Sequence, residues 1–242
     1  MNPDVLFFFE TVISGLMAGV MYALVALGFV LIFKASGVFN FAQGVLALFA
    51  ALTLTGVMEK FGLPAWAGII VTILVMIAVA WLIERLVLQH LVNQEPIILF
   101  MATIGLAYVI EGTGDILWGS NVKVLDIGLP QGASDFLLDN YNLYVEKLEI
   151  VAAVTAAILV AVLAVFFQKT RIGRALRAVA DDHQAALSVG ISLRTIWVVV
   201  WSVAGIVALV AGIMWGTKSG VQFSLSLIAL KALPVLILGG FT

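Results

Sequence analysis

Again and again, this chain runs apolar for about the thickness of a bilayer. A membrane helix needs roughly 20 apolar residues to cross the hydrocarbon layer. Such runs lie at 16–33, 65–83, 96–118, 150–167 and 197–215, with a shorter one at 45–58 and a seventh starting near residue 225. Backbone N–H and C=O groups find no water in hydrocarbon, so each must be satisfied within its own segment. That predicts an all-α, polytopic transmembrane helix bundle of about seven spans forming one membrane domain over residues 1–242. Composition agrees: 63% of residues are hydrophobic and 11% charged, with a mean hydropathy of +1.19. A soluble domain holds about 45–50% apolar and about 25% charged residues.

One interruption stands out. Gly37-Val38-Phe39-Asn40-Phe41-Ala42-Gln43-Gly44 breaks the apolar pattern with polar and small residues. Non-helical chain survives at membrane depth only where it is packed in protein or lines a cavity. The following run, 45–58, is short for a full crossing, which suggests that Asn40 to Gly44 lies within the membrane. The spacing leaves two readings open, a short aqueous loop or a re-entrant element beside a path.

Several classes of function are excluded early. The net charge is -2 and the basic residues are scattered, whereas nucleic-acid binding needs a basic patch; no nucleic-acid partner is expected. There is no cysteine, which removes disulfides and thiolate metal sites. His90 and His183 stand far apart and form no ligand set, so no metal and no bound cofactor are expected. No phosphate loop or hydrolase motif occurs; the string ending in Gly216-Thr217-Lys218-Ser219 has its lysine one place late for a phosphate loop. The first ten residues lack the basic start of a cleavable signal peptide, so the first apolar segment is expected to stay in the protein.

Basic residues favour the cytoplasmic side. With the N-terminus outside, seven of the twelve lysines and arginines fall inside, with Lys169, Arg171, Arg174 and Arg177 directly after one span. Residues 119–149 then form a long outside loop and residues 168–195 a long inside one. Val5 to Phe9, cut off by Glu10, reads as an interfacial stretch.

Within the spans, Gly15-x-x-x-Gly19 is a close-approach motif for membrane helices. It predicts packing within the bundle, with a path-lining face as the lesser reading. Glu111 and Asp115 lie four apart on one face of the fourth span. Ionisable groups in a span are costly and point to function by default, although a solvated vestibule would also explain this pair. Lys231, in the last apolar run, must find a carbonyl, a carboxylate or water. A structural pairing and a place on the substrate path are both open for it. Asn40, Gln43, Glu111, Asp115 and Lys231 are the candidate path residues.

The inside loop carries the sharpest pattern. Residues 175–187 are rich in helix formers, and Gly190 stands where a helix would stop. The small pair Ala185-Ala186 gives a smooth face suited to a groove on a partner. Arginines binding anionic membrane lipid would explain the same composition.

These residues resemble a known family. Gln184-Ala185-Ala186-x-x-x-Gly190 is similar to the Glu-Ala-Ala-x-x-x-Gly coupling loop of ATP-binding-cassette importer permeases, with glutamine in place of glutamate. The string from Arg171 to Asp182 resembles the permeases of high-affinity branched-chain amino-acid importers, of the H-type subunit. Asn40-Phe41-Ala42-Gln43-Gly44 is similar to that family's Asn-Phe-Ala-His-Gly, and Ile83-Glu84-Arg85, Lys231-Ala232 and Leu238-Gly239-Gly240 also fit. Gln43 and Val45 stand where many relatives have His and Glu. Relatives continue with another span or two, so the chain is expected to be truncated at its C-terminus.

The resemblance implies a multi-pass permease of the bacterial inner membrane, carrying branched-chain or other aliphatic amino acids. It implies a second, related permease, a periplasmic solute-binding protein outside, and two cytoplasmic ATPases that use the ATP. Those ATPases would couple through Arg174, Arg177, Gln184, Ala185, Ala186 and Gly190. A urea or short-amide permease of the same family is one alternative. An ion-coupled carrier is another, although it would need inverted repeats and midplane ion sites, and no convincing repeat is visible.

Overall fold

The computed structural model describes residues 3–37, 39–92, 94–181 and 183–240. Among them lie ten α-helices: α1 Pro3–Ser36, α2 Gln43–Phe61, α3 Ala65–Leu86, α4 Pro96–Trp118, α5 Asp135–Tyr141, α6 Lys147–Lys169, α7 Arg171–Asp181, α8 His183–Ser188, α9 Leu193–Ser219 and α10 Ile228–Gly239. Short 3-10 turns, Leu88–His90 and Phe223–Leu227, precede α4 and α10. Six helices (α1, α2, α3, α4, α6, α9) are long and apolar enough to cross a membrane. The fold is an all-α, polytopic bundle.

The starts of these helices follow from local chemistry. Pro64 lacks an N–H and holds an extended φ, ψ, which sets up α3. Pro96 opens α4 at a position where its missing donor costs nothing. Ser192 caps α9 by accepting from the N–H of Thr195.

α2 and α9 form the middle of the bundle. Every residue from Gln43 to Val57 is buried, and α9 is buried along most of its length against α1, α2 and α3. Small residues permit this. A side chain at Gly212 would run into the carbonyl oxygen of Ala47, and Gly56 sits against the Trp118 ring. In lipid, where apolar contact alone drives little association, such close backbone approach supplies the packing energy.

Two expectations are corrected. α1 is one helix of 34 residues, about 51 Å long at ~1.5 Å per residue, and Glu10 does not interrupt it. That carboxylate instead accepts from the N–H of Tyr144 in the outer loop, so it meets a donor without disturbing the helix. The expected seventh span is a 3-10 turn followed by the 12-residue α10, shorter than the six crossing helices, with Gln222, Ser224 and Ser226 in and beside the 3-10 turn and Pro234 within α10. The expected inside helix is described as α7 and α8 on either side of Asp182, which lies outside the described residues.

With the N-terminus taken as outside, ion pairs lie at both ends of the bundle. At the outer end Lys123 pairs with Glu59, Lys147 with Asp135, and Lys218 with Glu146 and Glu149. The outer loop is also joined to the segment after α9 by a two-way backbone bridge between Lys123 and Val221. At the inner end Arg194 pairs with Glu84.

Candidate functional site

The break between α1 and α2 lies deep in the bundle. Gln43 Nε2 donates to the carbonyl of Ala204 at 3.4 Å, near the middle of α9, and its side chain fills the space beside Gly28. Asn40 and Gln43 are both fully buried. Asn40 Oδ1 accepts from the N–H of Ala42 at 3.1 Å, and its own carbonyl accepts from Gln43 N. Phe41 N donates to Thr103 Oγ1 on α4 at 3.0 Å. The turn is thus satisfied by protein groups, as depth in hydrocarbon demands. Asn40 Nδ2 and Gln43 Oε1 have no partner among the described residues. Val38 lies outside them.

Beside this turn is a cavity of about 260 Å³ between α1, α4 and α10. The break lends it Phe39 and Phe41, while Asn40 between them faces the protein. Phe29 of α1 stacks on Phe39 with ring centroids 4.7 Å apart. α4 supplies Ile104, Ala107, Tyr108 and Glu111, a helical stripe of spacing three, four and seven. Ser226, Leu227, Ala229, Leu230 and Leu233 close the third side. Glu111 is the only ionisable carboxylate in this wall, and among the described residues it has no hydrogen-bond or ion-pair partner.

The candidate path residues therefore divide. Glu111 lines the cavity; Asn40 and Gln43 hold the turn that shapes it but do not line it. Asp115, one helical turn outward, is exposed and outside the lining. Lys231 is exposed on α10, pairs with no described residue and does not reach the cavity. Phe29, Phe39, Phe41 and Leu233 escaped the sequence reading, though Phe-x-Phe around Asn40 carried the signal. In a non-helical stretch alternate residues share a side, so a buried Asn40 places both rings opposite it.

The Gly15 to Gly19 motif makes no close approach within this chain: no atom lies within 4 Å of a Cβ built at either position. Both lie on the outer half of α1, which meets less of the bundle. Tight contact on this helix comes lower, at Gly28.

At the inner end α7 lies against α6, α1 and α9. Gly173, Leu176 and Val179 form its buried stripe, and Arg174 on the other side is exposed. Gly173 abuts the Phe167 backbone so closely that a Cβ would overlap it. Arg177 folds back to donate from Nη1 to the carbonyl of Phe167 at 2.6 Å, so it caps the end of α6. α8 ends in a Schellman motif, with Ile191 N donating to Ala186 O and Gly190 N to Leu187 O, both at 3.0 Å. Gly190 has φ +84, a left-handed value that other residues adopt only with strain. Ala186 is buried. Gln184 and Ala185 fall in α8, outside the described side chains. Glu84, not singled out from sequence, is fully buried near α9 and accepts from Arg194 Nε at 3.1 Å through Oε2.

Residues 11–242 match the family described as branched-chain amino acid transport system / permease component. The high-affinity branched-chain amino acid transport system permease protein LivH of Salmonella typhimurium is 26% identical over 259 residues, covering 99% of this chain and 81% of the relative. BraD of Pseudomonas aeruginosa, a permease protein of the same description, is 26% identical over 249 residues, with 98% and 81% covered. A probable LivH of Methanocaldococcus jannaschii is 28% identical over 194 residues, 78% of this chain and 60% of its own length. No solved structure matches the chain. With six helices of membrane length, this is a multi-pass protein of the bacterial inner membrane. A mid-depth break beside a cavity, a clasped helix pair at the inner end and a match over nearly the whole length lead to one conclusion: the chain belongs to the family of branched-chain amino acid transport permeases.

Proposed function

We propose that this chain is the permease subunit of an ATP-binding-cassette importer that moves branched-chain amino acids inward. Its partners are a second, related permease, two cytoplasmic ATPases and an outer solute-binding protein. The chain makes and breaks no covalent bond and binds no cofactor; the ATPases use ATP. Branched-chain substrate is what the names of its relatives state, and the apolar cavity suits it.

The observation that carries the reading is the inner helix pair. α7 is amphipathic, its buried stripe clamped to three helices of the bundle, while Arg174 and the end of α8 remain exposed. A partner pushing on α7 and α8 would move α6, α1 and α9 with them. That is what coupling requires: a ligand shifts a conformational balance only through contacts that differ between the two states. Nucleotide binding would draw the ATPases together, and the helix pair would carry that motion into the cavity-lining helices.

The test is co-purification. Extracted in detergent, the wild-type chain should bring its ATPases in fixed ratio. Gly190→Leu, which strains the α8 stop, and Arg174→Glu, which reverses an exposed charge, should both lose them, the second with the unfolding temperature of the permease unchanged. A wild-type chain that brings no ATPase, yet takes up leucine with a gradient, would replace this reading by an ion-coupled carrier.

A further inference from the structure

We propose that the cavity between α1, the break, α4 and α10 is a transit site for one aliphatic amino acid, with the ammonium held by Glu111. The inference rests on the importer reading and adds where the substrate pauses. At about 260 Å³ the cavity falls just below the roughly 300–1,000 Å³ of pockets for drug-sized ligands, a scale suited to a small metabolite. Its walls supply two chemistries. Phe29, Phe39, Phe41 and Leu233 form an apolar surface that gains free energy by covering a branched side chain. Glu111 presents a carboxylate without a partner among the described residues. A carboxylate at membrane depth is costly when unpaired, and an ammonium beside it removes that cost. Val45 of α2 extends the apolar wall.

The same features argue against other occupants. A lipid tail would satisfy the phenylalanines and leave Glu111 unpaired. A neutral amide would not use the carboxylate's charge. An amino acid with an aliphatic side chain uses both, its ammonium on Glu111 and its side chain on the apolar wall.

The experiment uses the full importer in proteoliposomes with saturating solute-binding protein and labelled leucine. Glu111→Gln should reduce leucine uptake by about tenfold or more, the worth of a charge-assisted hydrogen bond, with ATPase subunits still bound in the wild-type ratio. Glu111→Asp should restore part of the uptake. Ala107→Phe, which fills the cavity while leaving the Glu111 carboxylate in the chain, should also stop uptake, and it decides the matter if Glu111→Gln fails to assemble. Wild-type uptake by both Glu111→Gln and Ala107→Phe overturns the transit site and leaves the importer reading standing. Loss of co-purified phospholipid from Glu111→Gln with uptake unchanged overturns it too, in favour of a lipid site. If the wild-type complex moves no leucine at all, the importer reading falls and takes the site with it.

Discussion

Around Gly44, backbone meets backbone: the helix start lies under the carbonyl of Ser226 and the methyl of Ala229, and Gln43 is wedged between Gly28 and α9. Around Lys147, at the outer end, elements meet through charges on side chains that remain largely in contact with solvent, Asp135 being 80% exposed. Close packing is short-ranged and unforgiving, so the centre tolerates little change in shape. Exposed ion pairs are weak and screened, so the charged contact between Lys147 and Asp135 yields at small cost. A transporter needs both: a central fulcrum that keeps its geometry, and an outer cover that can yield.

The strongest way to break this comparison is to put the same kind of change in two glycine environments. Gly44→Val drives a branched side chain into the Ser226 carbonyl, where no rotamer relieves the overlap. We expect a loss of about 3 kcal/mol, the upper part of the usual overpacking range, seen as a large fall in unfolding temperature in detergent. Gly19→Ala, with no atom within 4 Å of the new methyl, should leave stability unchanged or raise it by up to about 0.5–1 kcal/mol, the helix cost of glycine. Equal losses at the two positions would show that the centre is no tighter than the outer half of α1.

The inner pair sharpens the comparison, because it is an ion pair with one buried partner. Glu84 is fully buried and Arg194 about half exposed. Arg194→Ala leaves a buried carboxylate without its counter-charge, for which about 3 kcal/mol is expected, the low end for a broken buried pair, since water reaches the arginine. Adding Glu84→Gln should recover part of that loss. Stability that falls further in the double variant would mean that Glu84 is held by something other than Arg194.

How much of this was readable beforehand differs by element. α4 follows the expected 96–118, and α3 starts where expected, because prolines at 64 and 96 and unbroken apolar runs are local signals. The burial of the break follows from its polar groups meeting protein, not from a short run after it, since α2 is 19 residues and long enough to cross. Which residues face the cavity was not: Asn40 and Gln43 drew attention as polar groups, yet burial turns them into the turn's own hydrogen-bonding groups, while the flanking phenylalanines form the wall. Gly15 and Gly19 have the right spacing for close approach, but spacing says nothing about whether another helix arrives there. It arrives at Gly28, whose partner lies fifteen residues away across a turn. Glu84 and Arg194 are 110 residues apart, a pairing that local pattern does not reveal.

The smallest effect belongs to the outer loop, where Asp135 Oδ2 accepts from Lys147 Nζ at 2.7 Å. The hydrogen bond and the positive charge of Lys147 hold the Asp135 carboxyl below its ordinary value of 3.8. A carboxyl whose pKa is lower folded than unfolded stabilises the fold above the unfolded value, and that contribution disappears as pH falls through the folded one. Asp135→Asn should therefore lower the unfolding temperature slightly and by a constant amount between neutral pH and about pH 5. The gap from wild type should then close as pH falls below the ordinary carboxyl value and on through the lowered value of the folded state. High salt should narrow the gap at neutral pH, since both groups reach solvent. A gap that widens in acid would mean that Asp135 is held in its protonated form, and the outer loop would then be fastened by something other than charge.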